Sequence, residues 1–190
     1  MQISKKKIQL NLRGKRKISF NDGDWKYLKI ENFSNFQSND GFIAENLIID
    51  LRCNSGGIIA DMKAVFERIF ESKIKMFQNL NTSVIDFRTV SAEKRKNVYI
   101  IADKTTCSSA EIFAGLGKIF HDAILIGTKM YGKNMICKRK VMGDIVIHVP
   151  YKEYRINGKS ILDIVPDYLV DNVCEYDEEE IMNFCQELKK

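Results

Sequence analysis

Residues 98–133 read VYIIADKTTCSSAEIFAGLGKIFHDAILIGTKMYGK and predict a strand, a polar turn, a helix and a second strand in immediate succession. The first five residues are apolar and rich in β-branched side chains, which is typical of a buried strand. A helix is predicted after the turn because apolar side chains recur on one face: Ile112, Phe113, Leu116, Ile119 and Phe120. The second strand is predicted at residues 123–126, and this alternation favours parallel neighbours in one sheet.

Ser108 stands where the polar turn becomes the helix. The first N–H groups of a helix have no partner within it, so a serine at this point lies beside donors that can stabilise an oxyanion. A purely structural explanation also exists, because Ser108 followed three residues later by Glu111 has the form of a capping box. Taken alone, this local pattern favours a capping serine over a catalytic one, and only other motifs in the chain can favour the catalytic interpretation.

Strand and helix patterns also precede this segment: hairpin strands at residues 7–13 and 15–20, a strand at 25–31, a buried strand at 47–51 and a helix at 58–72. Turn residues at 21–24 and a polar loop at 32–40 separate them. We therefore expect residues 1–24 to form an N-terminal β-hairpin extension and residues 25–190 to form one α/β domain with a largely parallel central sheet.

The C-terminal part of the chain favours a hairpin region and a closing helix. Residues 134–141 and 144–149 flank Met142-Gly143, and residues 151–156 predict another strand before the Asn157-Gly158 turn. The last helix, at residues 177–188, begins with four acidic residues. Acidic side chains complement the positive end of a helix dipole, so this cluster is not predicted to bind a metal.

Charge and composition exclude several classes of protein. The net charge of +5 over 190 residues is spread over short clusters at predicted ends and turns, which does not favour binding to nucleic acid. No apolar run is long enough to span a bilayer. The basic N-terminus is not followed by the apolar segment of an export signal, and five cysteines without C-x-x-C spacing suggest neither disulfides nor a zinc site. We expect a cytoplasmic protein, or an extracytoplasmic one if a leader has been removed.

The segment GTKMYGKN, residues 127–134, differs by one residue from a phosphate-binding P-loop. Asn134 occupies the place of the Ser or Thr that would bind magnesium, and the following residues predict a strand where a P-loop needs a helix. Nucleotide binding at residues 127–133 is therefore the least favoured hypothesis, and no cofactor is predicted.

Three motifs in the same order point to one enzyme family: LIIDLRCNSGG at 47–57, TCSSAEIFAG at 106–115 and YGK at 131–133. Together they resemble the S41 serine peptidases, the C-terminal processing or tail-specific proteases. YLKIENF at 27–33 and INGKSILDIVPDYLV at 156–170 are similar to the first core strand and the closing segment of that family. The resemblance implies a ClpP/crotonase-like layered fold with flanking helices.

The resemblance also implies the site and its chemistry. Ser108 would be the nucleophile and Lys133 the general base of a Ser/Lys dyad, without a metal. The N–H of Ser109 and that of Gly56 or Gly57 would form the oxyanion hole. Serine is a poor nucleophile without a neighbouring base, and a lysine serves as that base only when it is desolvated, which we expect when substrate is bound.

Other nucleophiles and bases are less favoured. His121 falls at the far end of the helix that Ser108 begins, about 20 Å away at 1.5 Å per residue. His148 is predicted to be a surface strand residue, and Cys107 has no supporting motif and is predicted to be a small packing residue.

The sequence departs from the family pattern in three ways. Cys137 stands where the family often has a glutamine that orients the lysine, the segment at residues 33–47 is short for the helix usual there, and no PDZ-like substrate domain is visible. The leading hypothesis is a serine endopeptidase that cleaves unfolded or tail segments of polypeptides. The alternative is an inactive member that binds extended peptides by strand addition. The oligomeric state stays open.

Overall fold

The computed structural model describes residues 19–34, 44–78, 81–90 and 97–189. In chain order the elements are β1 (Ser19–Asp22), β2 (Trp25–Lys29), β3 (Asn46–Asp50), α1 (Ile59–Phe70), β4 (Ile74–Gln78), β5 (Val84–Thr89), β6 (Val98–Ala102), α2 (Ser109–His121), β7 (Ile124–Gly127), β8 (Met135–Met142), β9 (Ile145–Ile156), β10 (Lys159–Ser160), β11 (Tyr168–Leu169) and α3 (Glu178–Lys189). Short 3₁₀ turns, Ile161–Asp163 and Val173–Glu175, flank β11.

The central sheet has six strands in the order β1-β2-β3-β6-β7-β11. Its strands run parallel from β2 to β11, and only β1 is antiparallel to its neighbour. The turns that follow β3, β6 and β7 therefore lie at one edge, the carboxyl ends of parallel strands, where α/β proteins usually place their sites.

A second sheet joins β4, β5, β9 and β10, and β8 pairs with β9 as an antiparallel hairpin. Only β5 and β9 run parallel in it. One apolar core contains one face of the central sheet together with α1, α2 and residues of the second sheet such as Phe87 and Tyr154. The other face of the central sheet packs on α3 through Ile181, Met182 and Cys185. Within the described ranges, no helix combines the length and apolar character needed to cross a membrane.

The fold class is confirmed, a mixed α/β fold with a largely parallel sheet, flanking helices and a C-terminal hairpin. The bounds of β6 match the prediction, and α1 and α3 fall within one or two residues of theirs. The predicted strand at 7–13 lies outside the described residues, as does most of the one at 15–20.

Two strand boundaries were predicted wrongly. The turn predicted at residues 21–24 is limited to Gly23 and Asp24, because Asn21 and Asp22 pair with β2. The predicted break near residue 150 is absent, and β9 runs through Pro150. The strands β4 and β5, which bring a second sheet to the site, were not predicted.

Candidate active site

Hydrogen bonds join the three turns at the carboxyl edge of the central sheet. After β6, the Asp103 carboxylate accepts the N–H groups of Thr105 and Thr106. The Thr106 hydroxyl donates to the Leu51 carbonyl oxygen at the end of β3, 3.0 Å away. The Thr106 carbonyl in turn accepts the N–H of Tyr131 from the turn after β7, also at 3.0 Å. The motifs at 47–57, 106–115 and 131–133 therefore form one contiguous site.

Ser108 has an unusual backbone conformation, with φ of 58° and ψ of −121°. An N-cap serine ordinarily has an extended backbone, and a non-glycine residue in this region is strained. Helix α2 begins at the next residue, so the N–H of Ser109 is one of the first-turn donors that have no acceptor within the helix. A serine that only caps a helix does not need this strained backbone conformation, so capping alone does not explain the conformation of Ser108.

The two glycines of the turn after β3 lie against Ser108 and Ser109. Gly56 has a φ of 95°, and a Cβ on it would lie 2.6 Å from the Cys107 carbonyl oxygen and 3.0 Å from Ser108 Cβ. The Gly56 N–H donates to Asn54 Oδ1 at 2.8 Å, so it is already engaged. The Gly57 carbonyl accepts the Ser109 hydroxyl at 3.3 Å, and the Gly57 N–H has no acceptor among the residues that the structure describes.

The Glu111 carboxylate connects the serine turn to the lysine turn. It accepts the N–H of Ser108 at 2.7 Å, that of Gly132 at 2.6 Å and that of Lys133 at 3.0 Å. Burial raises the pKa of Glu111, although these three hydrogen bonds and the charge of Lys133 act in the opposite direction. Glu111 thus does more than cap a helix, because two of its three donors come from residues 132 and 133.

A second side chain, Tyr154 of β9, joins the same two residues from the second sheet. Its hydroxyl donates to the Lys133 carbonyl oxygen and lies 3.3 Å from the Ser108 carbonyl oxygen. Tyr154 is buried, and burial raises its pKa far above the usual range, with Glu111 and Cys107 adding to the effect. The hydroxyl therefore stays protonated and remains a donor.

Lys133 is exposed, while its backbone is held by Glu111 and Tyr154. The charge of Lys133 lowers the pKa of both Cys107 and Glu111, so it acts electrostatically on the serine turn. Burial nevertheless raises the pKa of Cys107 overall, and Glu111 adds to this effect. Cys107 therefore favours the protonated thiol, a weak nucleophile.

The remaining candidates lie apart from this site. His121 is buried against the rings of Phe66 and Phe70, and His148 is exposed on β9. Asn134 leads into strand β8, so residues 127–133 lack the helix that a P-loop requires. All five cysteines are unpaired, and Cys137 is half-buried on β8. The described ranges contain no group of three or more His, Cys, Asp and Glu that could hold a metal ion.

Comparison with known proteins identifies the family of the chain. Residues 20–170 match the model of peptidase family S41. The carboxy-terminal processing protease CtpB of Bacillus subtilis is 27% identical over 103 residues, which are 53% of this chain and 22% of that protein. A probable CtpA-like serine protease of Staphylococcus aureus is 24% identical over 140 residues, covering 67% of this chain and 27% of that protein.

Solved structures show the same fold at low identity. The photosystem II D1 C-terminal processing protease superposes with a TM-score of 0.60 at 16% identity, over 87% of this chain and 47% of that one. Mature CPAF in complex with lactacystin gives a TM-score of 0.59 at 13% identity, over 90% of this chain and 53% of that one. The chain therefore spans about a quarter of the length of the curated relatives and about half of these structures.

Proposed function

Because the chain belongs to peptidase family S41, we propose that it is a serine endopeptidase of the C-terminal processing type with Ser108 as nucleophile and Lys133 as general base. The observation that carries this proposal is the strained backbone of Ser108, whose N–H shares one carboxylate, Glu111, with the N–H of Lys133. Strain of this kind persists where the surrounding structure over-determines it, and it concentrates at functional sites.

The proposed reaction uses only groups of this chain. The neutral amine of Lys133 takes the proton from Ser108 Oγ while Oγ attacks the peptide carbonyl carbon. The N–H groups of Ser109 and Gly57 bind the oxyanion, since that of Gly56 is occupied by Asn54. The lysine then passes its proton to the leaving amine, and water hydrolyses the acyl-enzyme by the same steps. Lys133 is exposed without substrate, so a bound polypeptide would have to desolvate it.

A second candidate function is favoured by Cys137. If the missing glutamine leaves the lysine without orientation, the protein would bind polypeptide segments without cleaving them. The proposed substrate, an unfolded or tail segment, is the same for both functions. They differ only in turnover.

Ser108→Ala, Lys133→Ala and the double variant test the proposal on an unfolded polypeptide substrate. Each single change is expected to lower turnover by about 10³-fold or more, and the double variant to be no worse, because residues that act as one unit are strongly non-additive. The matched control is Lys129→Ala, which removes an exposed lysine four residues earlier. A wild-type protein that binds the substrate but does not cleave it would favour the second function, and turnover that survives Lys133→Ala would remove the lysine from the mechanism.

A further inference from the structure

The β8–β9 hairpin extends beyond the body of the protein as an arm, defined here as residues 138–149. Residues 138–148 are all exposed, including five apolar side chains: Val141, Met142, Ile145, Val146 and Ile147. An isolated two-stranded hairpin is only marginally stable in water, and exposed apolar patches mark interaction sites. The arm therefore has the composition of a surface that a partner covers.

The two faces of the arm follow from its register. Met142 pairs with Ile145 and Lys140 with Ile147, so these four side chains share one face with Lys138 and Val149. On this face the apolar side chains of β9, at positions 145, 147 and 149, form an uncharged row. The lysines lie on β8.

The free backbone groups of β9 can be assigned from the two-residue turn at Gly143-Asp144. The two residues that flank such a turn, here Met142 and Ile145, form a hydrogen-bonded pair. Along an antiparallel hairpin, hydrogen-bonded pairs alternate with pairs whose backbone N–H and C=O groups point away from the partner strand. Val146 and His148 therefore present their backbone groups to the outer edge of β9. Pro150 is the next residue whose backbone faces this outer edge. Because proline has no N–H, it offers no hydrogen-bond donor to a further strand there. In the described part of the chain, β9 pairs on this side only from Glu153 onward, with β5.

The opposite edge of the arm is protected by charge. Lys138, Arg139 and Lys140 lie in sequence on β8. If two copies paired through β8, these cations would stand opposite one another at roughly 5 Å, which is destabilising. Lysines on an edge strand are a common device against such pairing. The edge of β9 over residues 145–149, IVIHV, has no charged side chain of this kind.

We propose that residues 145–149 of β9 pair with the same residues of a second copy of this chain, antiparallel about a two-fold axis at Ile147. Ile145 then faces Val149 of the second copy, and Val146 faces His148, so the outward backbone groups satisfy one another. The result is a four-stranded sheet in which the apolar row is continuous. The two β8 strands lie three strand spacings apart, roughly 14 Å, beyond the screening length of about 8 Å at physiological salt.

Sedimentation of the whole chain at increasing concentration tests the proposal. Five residues from each copy give a small interface, so we expect a dimer that forms over the micromolar to millimolar range. Val146→Pro removes an outward N–H without touching the bonds to β8, and it should raise the dimer dissociation constant at least 10-fold. Val141→Pro, the cross-strand partner on the protected edge, is the matched control and should leave the dissociation constant unchanged.

Two cysteine variants test the same interface by cross-linking, in case a proline substitution disturbs the hairpin. Ile147→Cys places two thiols opposite each other at a non-hydrogen-bonded pair, whose Cα atoms are about 4.5 Å apart, within disulfide reach. Mild oxidation should link this variant into a covalent dimer several-fold more than Val141→Cys, which carries the same native thiols. A monomeric wild-type protein at about 1 mM, or equal cross-linking of both variants, would overturn the proposal. Neither experiment depends on the proposed catalytic residues.

Discussion

One buried hydroxyl, that of Tyr154, connects the second sheet to both proposed catalytic residues. It contacts the carbonyl oxygens of Ser108 and Lys133, so it fixes the spacing of their backbones without reaching the exposed lysine side chain. This makes Tyr154 a positioning residue. Its effect on the reaction is expected through the positions of Ser108 and Lys133.

Tyr154→Phe keeps the ring and removes the hydroxyl. Without this hydroxyl the backbone of Lys133 can shift, and a small misplacement of the proposed base is expected to lower kcat roughly 10-fold, whereas KM should stay constant because Tyr154 is buried. Steady-state kinetics measure both constants, and denaturant unfolding measures the change in stability. Tyr151→Phe on the same strand is the control, since the Tyr151 ring packs under Lys138 and Lys152. A variant that loses stability but keeps the wild-type kcat would reduce Tyr154 to a structural role.

Sequence motifs alone led to Ser108, Lys133 and the two glycines as candidate site residues, but not to Tyr154. In the segment YKEYRI, residues 151–156, the two tyrosines have similar neighbours. Only the register of β9 turns Tyr154 into the core and leaves Tyr151 half-buried. The hydrogen bond from Gly56 to Asn54, which favours Gly57 over Gly56 as the proposed oxyanion donor, likewise could not be predicted from the sequence.

The least predictable feature of α2 was how completely it is buried. Its apolar face predicted contact on one side, yet residues 109–117 are all buried because the helix packs between the central sheet and the second sheet. The sequence feature that could have indicated this burial is the presence of small residues, Gly115 and Gly117, in the helix. A Cβ on Gly115 would lie 2.4 Å from Ile156 Cδ1, and one on Gly117 would lie 2.6 Å from Ile100 Cδ1, one contact for each sheet.

The strand β2 shows how alternation can mislead. The sequence WKYLK alternates partly between apolar and charged residues, which suggests a solvated face, but all five residues are buried. Trp25 and Tyr27 pack on the side of α3, and Leu28 packs on the opposite side. Lys29 is buried because its ammonium lies 3.5 Å from the Asp50 carboxylate. A sequence pattern cannot reveal a charge partner that is distant along the chain.

The Asp50 and Arg52 pair joins the central sheet to the C-terminal segment. Asp50 is fully buried and accepts bonds from Arg52 and from the Tyr27 hydroxyl. Arg52 also donates to the carbonyl oxygens of Val173 and Tyr176, at 2.7 and 2.6 Å, just before α3 begins. Two residues of the 47–57 motif thus hold the last helix in place, while its two glycines lie against Ser108 and Ser109.

This network predicts how stability depends on pH. Burial alone would raise the pKa of Asp50, but the hydrogen bonds and charge of Arg52, together with Lys29, hold it below its usual value. The resulting stabilisation is present above the unfolded-state pKa of about 3.9 and is lost as the pH falls through the lower folded-state pKa.

Asp50→Asn removes this stabilisation and leaves Arg52 buried without its charge partner. We expect the free energy of unfolding to fall by about 3 to 5 kcal/mol at pH 7, and its dependence on pH below 4 to become shallower than in the wild type. Urea unfolding between pH 2 and 7 measures both effects. Asp171→Asn, at an exposed aspartate, is the control and should change neither. If the free energy of unfolding of Asp50→Asn depends on pH as it does in the wild type, carboxylates other than Asp50 cause the acid unfolding.

The assignment of Ser108 as the nucleophile is tested most directly by mass spectrometry of the chain after treatment with a fluorophosphonate, which reacts with activated serines. We expect one adduct, located by peptide mapping on Ser108, absent in Ser108→Ala and formed much more slowly in Lys133→Ala. Lys129→Ala should react like the wild type. A chain that stays unmodified, or an adduct that persists in Ser108→Ala, would contradict the assignment of Ser108 as the nucleophile.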